Sequence, residues 1–491
     1  MIRYGWMEKA CLLAALLAGL SGCSEEAAPV VCPAGNEIRG VCAGVPAALV
    51  CGRHLCTSVT EGVVCVRTVE VNDDAGLQAA IAGATAGTCL ALAPGSYGTA
   101  NLPGGVRLLG RSADAVSLEG VTLGAGAGAV LRGVSVRTGG VKVEGVKAAT
   151  IASVRVSGSV SDGIEVLPGS SVTIVTSTVE GAQRYGLSAM DAADVTVEQS
   201  AFSKNAAAGV WAQCGVNGCD CTVEAKLSIE SSIVRGNLLL GMGLRGVSAS
   251  LRQVDIVDTS GDPAEFYRDG AGLAVASCSD LHATGLRVQR SNAYGVLIDE
   301  SHAELGKNAE GEGIEITENR GVGLWVKNIN DKNLEYDSEE EKKLVGVELE
   351  NGQIDANHGV GIGVSGGTRG FIICRSGVSN TRSSQMTVLQ GGGFGAKPED
   401  VGYGLAWLDK SEVSIDDSTF GGNELASILI DGAAEGSIIR VTLERGDNDE
   451  KKGILQQNFN GGMQPVVNGS SVILKQTSKE VHPVPVAPKA F

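Results

Sequence analysis

Four glycines stand 23 residues apart, and each opens a triplet in which apolar residues flank a variable one: Gly140-Val-Lys-Val, Gly163-Ile-Glu-Val, Gly186-Leu-Ser-Ala and Gly209-Val-Trp-Ala. A fixed period of this length means one supersecondary unit per repeat. No such unit buries its apolar face alone, so the chain must stack its units into a solenoid or array. The spacing returns from Gly272 to Gly295 and from Gly404 to Ser427, while Gly241, Gly323 and Gly361 fit once loops are inserted between units. A second alternating segment precedes the glycines, at Ala149 and Ile151, Val172 and Ile174, Val195 and Val197, Leu227 and Ile229, Leu281 and Ala283, and Val413 and Ile415. Five residues on comes a lone apolar side chain: Val156, Val179, Phe202, Val234, Val288 and Phe420. Period-two alternation in such short runs spells several brief strands per unit, and no helical stripe fits between them.

Asn205, Asn237, Asn319, Asn357 and Asn423 follow that lone apolar position by three residues in five different units. Asn accepts left-handed backbone angles, and identical amides stacked about 4.8 Å apart bond donor to acceptor, so the column is expected to be a structural ladder rather than a catalytic feature. Leucine-rich repeats and propeller blades have other periods and signatures. The segment Leu77-Gln-Ala-Ala-Ile81 reads as a short helix with Asp74 as its N-cap, followed by strands at Leu90-Ala-Leu-Ala-Pro-Gly-Ser-Tyr97 and Val106-Arg-Leu-Leu-Gly110. With these features residues 68–475 resemble the right-handed parallel β-helix, or pectin lyase-like, superfamily. The resemblance implies an all-β rod of roughly a dozen coils of about 23 residues, with an N-terminal capping helix.

Composition excludes other classes. The 491 residues include 70 Gly, far short of the one in three that collagen needs, and the formal charge of -17 argues against nucleic acid as a partner. Arg3 and Lys9 precede an apolar run, Ala10 to Leu20, too short to cross a hydrocarbon core of about 30 Å as a helix. It reads as a leader over residues 1–22. Leu20-Ser21-Gly22-Cys23 resembles the lipobox of bacterial lipoproteins, which implies acylation of Cys23, a tether over 23–31 and attachment to a membrane through lipid; Ser24 after the Cys implies the outer membrane of the cell envelope. The other reading is a plain cleaved leader with Cys23 as a structural thiol.

Residues 32–67 form a cysteine-rich neck. Cys32, Cys42, Cys51, Cys56 and Cys65, with Cys89, make six thiols and 15 possible pairings, expected to staple a small spacer, or alternatively a binding module. Cys214, Cys219 and Cys221 lie in one insertion and Cys278 further on; outside the cytoplasm disulfides are expected there rather than zinc. Cys374 has no evident mate. Residues 476–491, with Pro483, Pro485 and Pro488, read as an extended tail.

Chemistry is harder to find. Counting outward from the strand pattern, Glu165, Ser188, Trp211, Ala274, Leu297 and Trp325 should project from the rod. Trp211 and Trp325 are therefore candidate sugar-stacking contacts, unless neighbouring insertions cover them. Insertions at 214–221, 262–269, 331–343 and 382–403 are the expected binding face. Asp416 and Asp417 are adjacent and point to opposite faces, Asp191, Glu300 and Asp409 fall in separate coils, and His282, His302 and His358 are scattered over different coils. The hydrolase and lyase motifs of the resembled superfamily are absent. Asp447-Asn-Asp449-Glu450 resembles part of a calcium loop without its full spacing, so no metal or cofactor is expected, with calcium as the alternative. Losing the leader takes the charge to -18 through Arg3, Glu8 and Lys9, which disfavours polyanionic ligands. The sequence thus points to a non-catalytic, lipid-anchored rod that binds a neutral glycan or an envelope protein. The alternatives are a polysaccharide lyase, hydrolase or epimerase with an unfamiliar site, and a structural envelope spacer.

Overall fold

A computed structural model describes residues 36–38, 41–45, 50–51, 54–55, 58–191, 193–215, 225–261, 270–306, 312–327, 346–368, 370–389, 396–408, 411–432, 435–443, 452–457, 466–468 and 484–485. Cys23, Cys32, Cys56, Cys219, Cys221, Asp409 and the stretch 447–450 lie outside them, as do the leader, the tether and nearly all of the tail. The chain folds as a right-handed parallel β-helix. A first sheet stacks sixteen strands, from Arg67–Val71 through Ala149–Ala152, Asp194–Glu198 and Asp280–Thr284 to Val466–Asn468. Three of these strands precede the coil in which Gly140 first marks the repeat. A second sheet stacks short strands such as Arg155–Ser157, Ala201–Ser203 and Asp255–Val257, and a third stacks Ile164–Val166, Tyr185–Met190, Ala208–Gln213 and their successors. Near the N-terminus Gly95–Leu102 and Val116–Leu123 run through both without a corner.

Register places like side chains over one another. Ile151, Ile174, Val197, Ile229 and Leu251 form one interior file, Val156, Val179, Phe202, Val234 and Ile256 a second, and Ile164, Leu187, Val210, Met242 and Leu273 a third. All are buried in one continuous core. A few aliphatic side chains per coil, at about 1.5–3 kcal/mol each, do not offset the ordering of some 23 residues at about 1–2 kcal/mol each. A coil is therefore stable only between neighbours.

Gly140 takes a left-handed φ of 62°, whereas Gly163, Gly186 and Gly209 answer to close approach alone. A Cβ on Gly186 would lie 2.5 Å from the carbonyl oxygen of Gly209 and 2.6 Å from Asn205 Nδ2, and one on Gly209 would lie 2.4 Å from Val234 Cγ1. The asparagines are buried as expected, but the left-handed residue is the one before them: Lys204, Glu318 and Ala356 have φ of 54°, 58° and 51°. The ladder is also broken. Asn205 Nδ2 donates to Asn237 Oδ1 at 3.0 Å and Asn319 Nδ2 to Asn357 Oδ1 at 2.9 Å, while Ser291 stands in the intervening column and donates its backbone N–H to Asn319 Oδ1. A second ladder was not anticipated. At the corner between first and second sheets, the hydroxyls of Ser177, Ser200 and Ser232 each accept the backbone N–H of the preceding coil, at 3.2, 3.1 and 3.1 Å.

The helix Asp74–Ala82 caps the first coils, shifted by one residue from expectation. Asp73 is the N-cap, its carboxylate accepting from Gly76 N at 2.7 Å, and Asp74 accepts instead from Gly98 N at 2.7 Å. The described parts of the neck rest on the rod rather than standing apart from it. Ala43 is fully buried against Ala201, Ile233 and Val257, apolar residues at outward positions of the second sheet, and Gly44 N donates to Gln199 O at 2.8 Å. Cys65 and Cys89 are joined by a disulfide, and Cys42, Cys214 and Cys278 are also disulfide-bonded. Cys374 carries a free thiol whose pKa burial pushes up.

Candidate functional site

Outward positions of the first sheet form a polar stripe along the rod. Thr150, Thr173, Thr196, Ser228 and Ser250 follow one another in register and lead to His282 and Glu304. In the neighbouring column Ser248 leads to Asp280 and His302. Two histidines that the sequence left scattered therefore meet in adjacent coils, each beside a carboxylate. His302 Nδ1 lies 2.7 Å from Asp280 Oδ1, and His282 Nδ1 lies 3.1 Å from Glu304 Oε2. His282 Nε2 is 3.5 Å from Asp280, and the two rings stand edge to face with centroids 6.0 Å apart. His282 is half exposed at 49% and His302 more sheltered at 22%.

The hydrogen bond with His302 holds the Asp280 carboxyl below the usual carboxylate range, against the opposing effect of its partial burial. A depressed folded pKa stabilises the fold fully above the unfolded value of about 3.9 and loses that contribution as pH falls through the lower folded value. Asp280 is thus ionised at neutral pH. A carboxylate that orients an imidazole and stabilises its protonated form prepares it for proton transfer. Among the described residues no group of three or more His, Cys, Asp or Glu has the geometry to hold a metal ion.

The remaining candidates do not join this cluster. His358 sits at a corner beside Arg382, where burial and that guanidinium hold its imidazole pKa low. Asp191 and Glu300 are left-handed corner residues, with φ of 32° and 48°, and Asp416 pairs with Arg440. Trp325 is fully buried, and Trp211 half-buried. Each indole lies over the glycine at the same strand position in the next coil: a Cβ on Gly363 would come 2.5 Å from Trp325, and one on Gly243 would come 2.4 Å from Trp211. The other face of Trp211 stacks on Tyr185, centroids 5.5 Å apart and planes at 10°. Trp325 Nε1 donates to Ser365 Oγ at 3.0 Å. Trp325 thus has no face open to a sugar, which corrects its reading as a stacking contact, while Trp211 keeps part of its ring at the surface.

These tryptophans belong to a second apolar cluster on the outer side of the third sheet, with Leu240, Ala274, Tyr294, Leu297, Val322, Tyr403 and Leu429. In the sequence, residues 216–224 and 328–345 follow strands of this sheet and 262–269 precede one; all three stretches lie outside the described residues. Beside the apolar cluster Asp299 is buried, its Oδ1 has no hydrogen-bond partner, and Lys327 Nζ stands 3.9 Å from Oδ2. Burial, against the attraction of Lys327, pushes the Asp299 pKa up to about 6. A raised folded pKa favours the fold as pH falls through about 6, and the carboxylate costs stability above it. The cost builds between the unfolded value of about 3.9 and the folded value of about 6, so Asp299→Asn is expected to leave stability unchanged near pH 3 and to raise it near pH 7.5, by at most about 3 kcal/mol. Urea melts at both pH values check this; a loss at pH 7.5 would mean that the ion pair outweighs burial.

A family model described as right handed beta helix region matches residues 112–261. No curated protein matches the sequence. Among solved structures, the Azotobacter vinelandii mannuronan C-5 epimerase AlgE4 A-module is similar at 15% identity, over 81% of this chain and 96% of that one, with a TM-score of 0.39. The catalytic unit of a thermostable GH87 alpha-1,3-glucanase from Streptomyces thermodiastaticus strain HF3-3 is similar at 11% identity, over 88% and 74%, with a TM-score of 0.39. The periplasmic alginate epimerase AlgG is similar at 11% identity, over 79% and 83%, with a TM-score of 0.38.

Proposed function

We propose that the protein acts on a polysaccharide laid along the outer face of the first sheet, by acid–base chemistry at Asp280, His282, His302 and Glu304. The observation behind this is the meeting of two imidazole–carboxylate pairs in adjacent coils, at the end of a hydroxyl-lined stripe. His302, the more sheltered ring and the one closely held by Asp280, takes the part of the base; His282, beside Glu304, takes that of the acid. Half-buried Thr and exposed Ser hydroxyls suit a ligand rich in hydroxyl groups. The proposal includes the envelope as its location, with Cys23 as the lipidated residue.

A non-catalytic glycan-binding rod is the second reading. It is favoured by the engagement of both carboxylates with imidazoles, which leaves no opposed carboxyl pair of the kind glycoside hydrolysis uses. Incubation of residues 24–491 with a panel of neutral and acidic polysaccharides decides between them. Chain shortening, new unsaturated ends or altered sugar configuration supports the enzyme. Saturable binding without any of these sinks it in favour of the rod.

A further inference from the structure

Residues 61–64 cross the outer face of the first sheet at its N-terminal end. Glu61 O accepts from Arg132 Nη1 at 2.6 Å, Val64 O accepts from Arg107 Nη1, and the Cys65–Cys89 disulfide fixes the following residue to the second coil. Between this strap and the strands beneath lies a half-open cleft of about 840 Å³. Its lining combines apolar side chains, Val63, Val130 and Val175, with the polar groups of Thr150, Thr176 and Gln199. Val64, at the mouth, is 79% exposed.

We propose that this cleft is the terminal subsite of the polar stripe and receives the end of a neutral polysaccharide chain. The proposal rests on the polysaccharide reading above and specifies which part of the chain is held, and where. A pyranose has an apolar C–H face and a hydroxyl edge, and the lining supplies a complement to each. Charge is not what the cleft selects, because Arg107 and Arg132, which line it too, are directed at main-chain carbonyls of the strap, and the carboxylate of Glu61 is offset by Arg132. The strap closes the stripe on one side, whereas on the other Thr196, Ser228 and Ser250 continue it to His282. Five strands of the first sheet separate Val130–Arg132 from Asp280–Thr284. At about 4.8 Å per strand the path is roughly 29 Å, and a pyranosyl unit in an extended chain covers about one such step. A chain end seated under the strap therefore brings a linkage about five or six units inward to the two histidines.

Calorimetry with neutral gluco- and galacto-oligosaccharides of two to eight units tests this, using the His302→Ala full-length protein so that binding is read without turnover. Affinity is expected to rise with length and level off at about six units. Val175→Trp, which fills the cleft from a half-buried position, is expected to weaken binding tenfold or more, and mass spectrometry of wild-type products should show a maximum at five or six units. Replacing both Cys65 and Cys89 by Ser frees the strap and should broaden that distribution. Turnover with random product lengths and an unaffected Val175→Trp variant overturns the terminal subsite while leaving the acid–base reading intact. Length-dependent binding that Val175→Trp abolishes, without turnover by the wild type, supports the subsite and removes the chemistry. Failure of every neutral oligosaccharide to bind overturns the subsite outright.

Discussion

Gly209→Val is expected to destabilise the rod by about 4 kcal/mol, read as a fall in the urea midpoint at constant slope. The added side chain would begin 2.4 Å from Val234 Cγ1, 2.6 Å from Asn237 Nδ2 and 2.9 Å from the carbonyl oxygen of Gly241. Backbone and a buried amide cannot yield as a flexible side chain would. Moving Asn237 away also breaks its acceptance of Asn205 N at 2.9 Å and of Asn205 Nδ2 at 3.0 Å, leaving buried donors bare at about 1–3 kcal/mol each. Gly377→Ala is the control, since nothing lies within 4 Å of its Cβ and its φ is not left-handed. Equal losses at the two positions would refute the argument from close approach and leave only the general cost of replacing glycine.

His302→Ala is expected to lower kcat on whichever polysaccharide proves to be a substrate by about 10²–10⁴-fold. The loss should fall on kcat more than on KM, because the imidazole acts in the transition state and contributes little to holding a long chain. Asp280→Asn should follow closely, since it replaces the acceptor-only carboxylate 2.7 Å from His302 Nδ1 by a neutral amide that can also donate, removing the charge that supports an imidazolium and the control of the ring's tautomer. His358→Ala, which lies at a corner away from the cluster, is expected to leave turnover unchanged. If His302→Ala retains wild-type kcat, the two imidazoles are surface ornament and the non-catalytic reading stands.

The interior of the rod was legible because its signal is local. Gly163, Ile164 and Val166 announce a strand by themselves, and three files of aliphatic side chains follow from repeating that pattern. The outer faces are legible only after register is known, and register depends on coil length. His302 follows Asp280 by 22 residues, but Glu230 follows Glu198 by 32 across an insertion, so a count of 23 misplaces outward neighbours. A signal was nonetheless present: Asp280-x-His282 and His302-x-Glu304 occupy matching outward positions of successive strands. The same holds for the tryptophans. Trp211 and Trp325 were correctly read as pointing away from the core, and Gly243 and Gly363 at the same position one coil later show what they lie on. Ala201, Ile233 and Val257 on the second sheet likewise foretold a cover, which turned out to be the neck.

That cover has a consequence for how the molecule is made. Ala43 finds its seat on residues as distant as Val257, so in vectorial synthesis the earliest ordered stretch has nowhere to settle until some two hundred later residues have emerged. The coils must nucleate on one another first, and the beginning of the polypeptide is put in place only after the middle of the rod has formed.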